Sequence, residues 1–182
     1  MALRVPTPRK SGLLHRLWLS PTNLIGRGVA RLVGAQGPYP VGSERAPAEY
    51  YLLPDHFRWW FGAVALGHVI LAQPGFLQGE AGRWTMAHEL SHTRQHDVLG
   101  PLYLPLHGLL QALSAVFSMF RSVPGYSIVH AYNPLERAFL CVPFDHLAAL
   151  RAGRSIVDEN AQEVLRAFGV NDFSCRSLMT PE

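Results

Sequence analysis

Residues 88–92 read His88-Glu89-Leu90-Ser91-His92, two imidazoles four positions apart with a carboxylate beside the first. On an α-helix His88 and His92 lie about 40° apart around the axis and one turn apart along it, so both rings can reach a single metal ion. Glu89 stands about 100° from His88 on the His92 side, close enough to touch a water ligand without displacing it. These types suit metal-assisted hydrolysis. Imidazole nitrogens bind zinc, zinc lowers the pKa of its water towards ~7, and a carboxylate takes the proton as the water attacks. Nine histidines and eight glutamates in 182 residues give about 0.02 chance matches to this pattern.

The elements around the motif must present it. Trp84 to Leu99 can run as about four helical turns, and Gly100-Pro101 follows directly as a stop signal. A catalytic zinc site usually takes three protein ligands and keeps one position for water. His96 continues the i, i+4 ladder, but its Cα lies two turns, roughly 12 Å, from that of His88, which places it beside the site or in solvent. Glu136 is the better candidate. Asn133-Pro134 favours a turn start, and Pro134 at a first helical position puts Glu136 in the opening turn of a new helix.

The set His88-Glu89-x-x-His92-x-x-Gln95, then Leu99-Gly100-Pro101-Leu102-Tyr103-Leu104-Pro105, then Asn133-Pro134-Leu135-Glu136 resembles the gluzincin group of zinc metallopeptidases. More narrowly, it resembles small bacterial H-E-x-x-H proteins related to minimal gluzincins. The similarity spans roughly residues 48 to 140 and includes Leu66 to Leu71 ahead of the motif. It implies Zn2+ on His88, His92 and Glu136, Glu89 as general base, and a peptide or protein substrate. The sequence departs from larger gluzincins four residues after Glu136, where their acid orients the first histidine and this chain has Leu140. A second reading therefore stays open: a non-catalytic, degenerate zincin acting as a metal-binding sensor or interaction module. A fourth protein ligand would mark the module, and an open coordination site the enzyme.

The length fits one core, and the fold reading is α+β: a small sheet of two to four strands from residues 48 to 72 packed on the motif helix, with further helices completing the core. Tyr50 to Leu53, Trp59 to Leu66 and His68 to Ala72 read as strands, with Gly67 as a bend. Gln73 to Gly82 reads as a loop. His68 on such a strand could donate to a substrate carbonyl, or be a structural histidine. His130, six residues before Glu136, could contact a transition state. His107 and His146 sit in apolar surroundings and read as structural. Val157 to Phe168 reads as a final helix whose acids face solvent.

Residues 1–47 read as a basic extension ahead of a zincin-like domain at 48–182. Arg4, Arg9, Lys10, Arg16, Arg27 and Arg31 all precede the first acid, Glu44. Such a segment could make peripheral contact with an anionic membrane or simply stay solvated. It lacks the aromatic-basic pattern of a nucleic-acid binder, so no nucleic-acid partner is expected. Within it, Asn23 to Val33 has the spacing of a short amphipathic helix. Cys141 and Cys175 are too few for a metal framework, and residues 13–20 are interrupted by His15 and Arg16 with no small-residue cleavage site after them. A cytoplasmic protein, with membrane association left open, is the expectation. Leu102 to Phe120 holds no Asp, Glu, Lys or Arg. Nineteen apolar residues are long enough to span a bilayer, but the interruptions at Pro105, His107, Gln111, Ser114 and Ser118 favour a buried packing helix behind the motif.

Overall fold

The computed structural model describes residues 12–43, 46–57, 62–77, 79–121 and 128–137. The expected helix at Val157 to Phe168, the leader basic residues before residue 12, Leu140, His146 and both cysteines lie outside the described residues.

The described chain is α+β, with α1 (Leu13–Leu32), β1 (Gln36–Ser43), β2 (Ala46–Leu52), β3 (Ala63–Leu66), β4 (Val69–Ala72), α2 (Gly79–Leu99), α3 (Tyr103–Phe120) and α4 (Pro134–Arg137) in order. Short 3-10 turns, Pro74–Leu77 and Gly100–Leu102, lead into α2 and α3. The four strands form one mixed sheet in the order β1-β2-β4-β3. β1 pairs antiparallel with β2, β2 parallel with β4, and β4 antiparallel with β3. Central β4 reads Val69-Ile70-Leu71-Ala72 and all four residues are buried. An unbroken apolar run is what a strand covered on both faces requires.

Within residues 13–43, α1 packs on β3 and β4, and β1 is a strand of the sheet. Two prolines and two glycines in Gln36–Ser43 hide the strand from a propensity reading, and an edge position is where a sheet tolerates proline. The helix expected at Asn23 to Val33 is twenty residues long. The presumed loop before the motif is largely helical, since α2 begins at Gly79, five residues ahead of Trp84.

The fit of α1 to the sheet follows from its buried stripe, Leu19, Thr22, Gly26 and Ala30. Ala30 joins Tyr51, Leu53, Val69 and Leu71 in the core. At Gly26 the helix comes so close that an added Cβ would lie 2.7 Å from Val69 Cβ and 2.8 Å from the Leu66 carbonyl oxygen. Polar links set the register. Asn23 Oδ1 accepts the His68 N–H at 2.8 Å, and Arg27 pairs with Glu49 of β2 at 2.6 Å. Gly67, in the β3–β4 turn, has φ +74° and faces Asn23.

α2 differs from an ordinary surface helix. Every residue from Thr85 to His96 is buried, so its polar residues are interior groups that require partners. It packs on edge strand β3, on the first 3-10 turn and on the start of α3.

The β3–β4 turn yields a stability prediction. Gly34, at φ +69°, has nothing within 4 Å of an added Cβ, whereas a Cβ on Gly67 would collide with Asn23 Oδ1. Gly34→Ala should cost about 1 kcal/mol, the conformational penalty alone, and Gly67→Ala about 2 kcal/mol or more. Urea midpoints at unchanged slope measure both; equal losses would show that the Asn23 contact contributes nothing.

Candidate metal centre

α2 brings His88 and His92 to one side of the helix, with ring centroids 4.6 Å apart. Their Nε2 atoms lie 3.1 Å from each other, and Glu136 Oε2 lies 3.1 Å from the first and 3.3 Å from the second. These three buried residues could hold a metal ion. The donor atoms make a nearly equilateral triangle. A tetrahedral ion with metal–ligand distances near 2.0–2.1 Å has ligand–ligand edges of roughly 3.3 Å, so the triangle is close to one face of such a site.

Glu136 arrives as its local sequence suggests. Asn133 Oδ1 accepts the Leu135 N–H at 2.9 Å, and the Glu136 N–H donates to the Asn133 carbonyl at 3.0 Å. This turn opens α4 at Pro134 with Glu136 in its first turn. Gln95 joins the turn to α2. Its Nε2 donates to the Leu135 carbonyl at 2.6 Å, and its Oε1 lies 2.9 Å from His92 Nδ1. A proton on Nδ1, donated to Gln95, leaves the Nε2 lone pair directed at the triangle. Gln95 thus supplies, from within α2 itself, a group that orients the second histidine.

Glu136 has a second side. Its Oε1 lies 3.0 Å from His107 Nε2 and 3.7 Å from His130 Nε2. His107 was expected to be structural; α3 instead delivers it to the candidate ligand, with its ring stacked on Tyr103 at 5.3 Å. Its signal in the sequence is only its place four residues after Tyr103 in an otherwise apolar segment. The serines that interrupt that segment hold the turn carrying His130. Ser114 Oγ donates to the Ile128 carbonyl at 2.9 Å and accepts the Tyr132 N–H at 2.8 Å, and Ser118 Oγ reaches the same carbonyl at 3.1 Å.

His68 and His96 lie apart from the triangle. His68 Nδ1 faces the Pro47 carbonyl at 2.9 Å and its Nε2 faces Asp97 Oδ1 at 2.7 Å. It ties the β3–β4 turn to the end of α2, the structural alternative to a substrate contact. His96 is fully buried rather than solvated, with its ring 5.4 Å from that of His68 and 5.8 Å from Tyr103.

Two buried carboxylates in this centre respond oppositely. Burial pushes Glu89 above the usual carboxylate range, only partly offset by His88 and His92. Burial would raise Glu136 as well, but attraction to His92 and the close approach of the His107, His88 and His92 ring nitrogens together hold it well below that range. Burial lowers His107, and lowers His130 to about 4, so both are neutral near pH 7. Glu89 accepts a hydrogen bond from the Ala65 N–H of β3, while its buried Oε2 has no hydrogen-bond partner among the described residues. A carboxylate oxygen so placed is suited to accept a proton.

Ligation can be tested directly. The purified protein should carry about one equivalent of divalent metal at neutral pH, measured by plasma mass spectrometry. His88→Ala, His92→Ala and Glu136→Ala should each lose it, and His96→Ala should keep it. Gln95→Ala should retain the fold but weaken metal affinity by about 10–100-fold, the usual effect of losing a group that orients a ligand. Metal lost from His96→Ala but kept by Glu136→Ala would identify the wrong third ligand.

No protein-family model, curated protein or solved structure matches this chain.

Proposed function

We propose that this chain is a zinc-dependent peptidase with a zincin-like arrangement, in which His88, His92 and Glu136 hold zinc and Glu89 is the general base. The observation that carries the reading is the donor triangle, with edges of 3.1, 3.1 and 3.3 Å. Two imidazoles and one carboxylate are a donor set that zinc favours when a fourth position is kept for chemistry. A zinc ion held there would polarise a substrate carbonyl and make water acidic enough to attack near neutral pH.

The chain's own residues do the rest. Ala65 N–H fixes the Glu89 carboxylate against β3, and the unpartnered Oε2 accepts the proton that water loses on attack. A glutamate raised towards the working pH holds that proton and passes it to the leaving amine more readily than an ordinary one. Neutral His130 can offer an N–H to a developing oxyanion without adding charge. His107 grips Glu136 Oε1 and so directs Oε2 to the triangle. Peptide or protein amides are the substrate class this proton traffic fits.

One observation favours the non-catalytic alternative. The side chains of His88, His92 and Glu136 are only 6%, 4% and 2% exposed, so a substrate must enter a narrow approach, and a closed metal-binding module would show the same burial.

Glu89→Gln separates the two readings. It keeps shape and hydrogen-bonding reach but loses basicity. Metal content and circular dichroism should stay as in the wild type, while cleavage of a broad peptide library falls by about 10²-fold or more. Wild-type cleavage that survives the substitution unchanged would sink the mechanism. A fully zinc-loaded wild type that cleaves nothing in the library would favour the module.

A further inference from the structure

α3 has two faces with different tasks. Tyr103, His107, Ser114 and Ser118 follow one stripe, at spacings of four, seven and four, and this stripe faces the metal centre and the turn at 128–132. The opposite face carries Leu109, Leu113, Val116 and Phe120, all exposed, Phe120 at 84%. The expectation of a buried packing helix therefore fails for this half of α3. Counted through the intervening 3-10 turn, Thr85–Phe120 contains a stretch long and apolar enough to cross a membrane, although the chain bends at Gly100 and brings His107 back to His92. Its committed polar stripe argues against lipid on all sides, since His107, Ser114 and Ser118 would each have to leave their partners.

α1 shows a similar division. Beyond its buried stripe, Leu14, Leu17, Leu24, Ile25 and Leu32 are exposed. Arg31, also exposed, borders this face on one side. The two helices meet where the Trp18 indole lies against Gly100, next to exposed Leu102. The charge pattern selects the occupant. The sequence has no acid before Glu44 and none between Asp97 and Glu136, whereas Arg31 lies on α1 and Arg121 directly ends α3. Two copies meeting through these faces would bring arginines together with no acid to pair them. Anionic lipid headgroups would pair with them, while acyl chains cover the apolar face.

We infer that the outer face of α3, with the adjoining face of α1, docks in the headgroup region of an anionic bilayer, with α3 lying in the membrane plane. His107 projects from the opposite side of α3, so the metal centre would sit about one helix diameter, ~10 Å, above the lipid. The inference does not depend on which ion the centre holds, or on catalysis.

The test is co-sedimentation of the full chain with vesicles. Phosphatidylcholine containing about one-third phosphatidylglycerol should pellet the protein, pure phosphatidylcholine should pellet much less, and salt should weaken binding. Bound protein should be released by an alkaline carbonate wash. Leu113→Asp/Val116→Asp should stay in the supernatant with unchanged circular dichroism. Arg31→Glu/Arg121→Glu, which leaves the apolar face intact, should bind about tenfold more weakly or worse, and it decides the matter if the first variant misfolds. Three results would overturn the proposal: no pelleting of the wild type by anionic vesicles, resistance to carbonate as expected of a spanning helix, or a dimer without vesicle binding that Leu113→Asp/Val116→Asp dissociates.

Discussion

A single buried carboxylate organises this protein. Glu136 is 1% exposed, and an ionised carboxylate taken out of water costs several kcal/mol unless close partners replace its hydration. His88 and His92 supply them from α2, His107 from α3 and His130 from the turn before α4. Each histidine comes at the expense of some apolar burial, and the supporting polar contacts follow from that choice. Gln95 bridges His92 to the Leu135 carbonyl, and Ser114 anchors both sides of the 128–132 turn. Removing one member would leave another buried polar group without its partner, so these groups form one network rather than independent contacts.

The same crowding separates the roles of two glutamates. Glu136 faces several ring nitrogens and stays ionised, the state a metal ligand needs. Glu89, next to His88 in sequence, has one backbone donor and is raised by burial. Environments that push two carboxylates apart can give one site both a fixed anion and a proton carrier, the division that the proposed function uses. The sheet reaches the centre at Ala65, where edge strand β3 donates to Glu89. α1 and the β3–β4 turn set the place of that edge through Asn23, Gly26 and His68.

α3 shows how a chain position can serve two surfaces. Its polar residues look like interruptions of an apolar run, but they lie on one stripe and hold the centre together. What remains on the other side is almost wholly apolar and exposed. A helix so divided is neither an interior packing helix nor a plain membrane span, and its two halves obey different solvents.

Local geometry made much of this legible in the sequence. The i, i+4 spacing of His88 and His92, the carboxylate at Glu89, the stop at Gly100-Pro101 and the Asn133-Pro134 turn before Glu136 depend on helix pitch and turn chemistry, which a short stretch of chain determines by itself. The β2–β4 strands also announced themselves, because β-branched and aromatic residues crowd them. What tertiary structure decided was which distant groups meet. β1 exists because an edge accepts its prolines, His107 reaches Glu136 because the start of α3 turns back over α2, and His68 pairs with Asp97 instead of facing the centre. In those cases residue types are compatible with several partners, and only the burial of one particular carboxylate, and of the faces around it, selects among them.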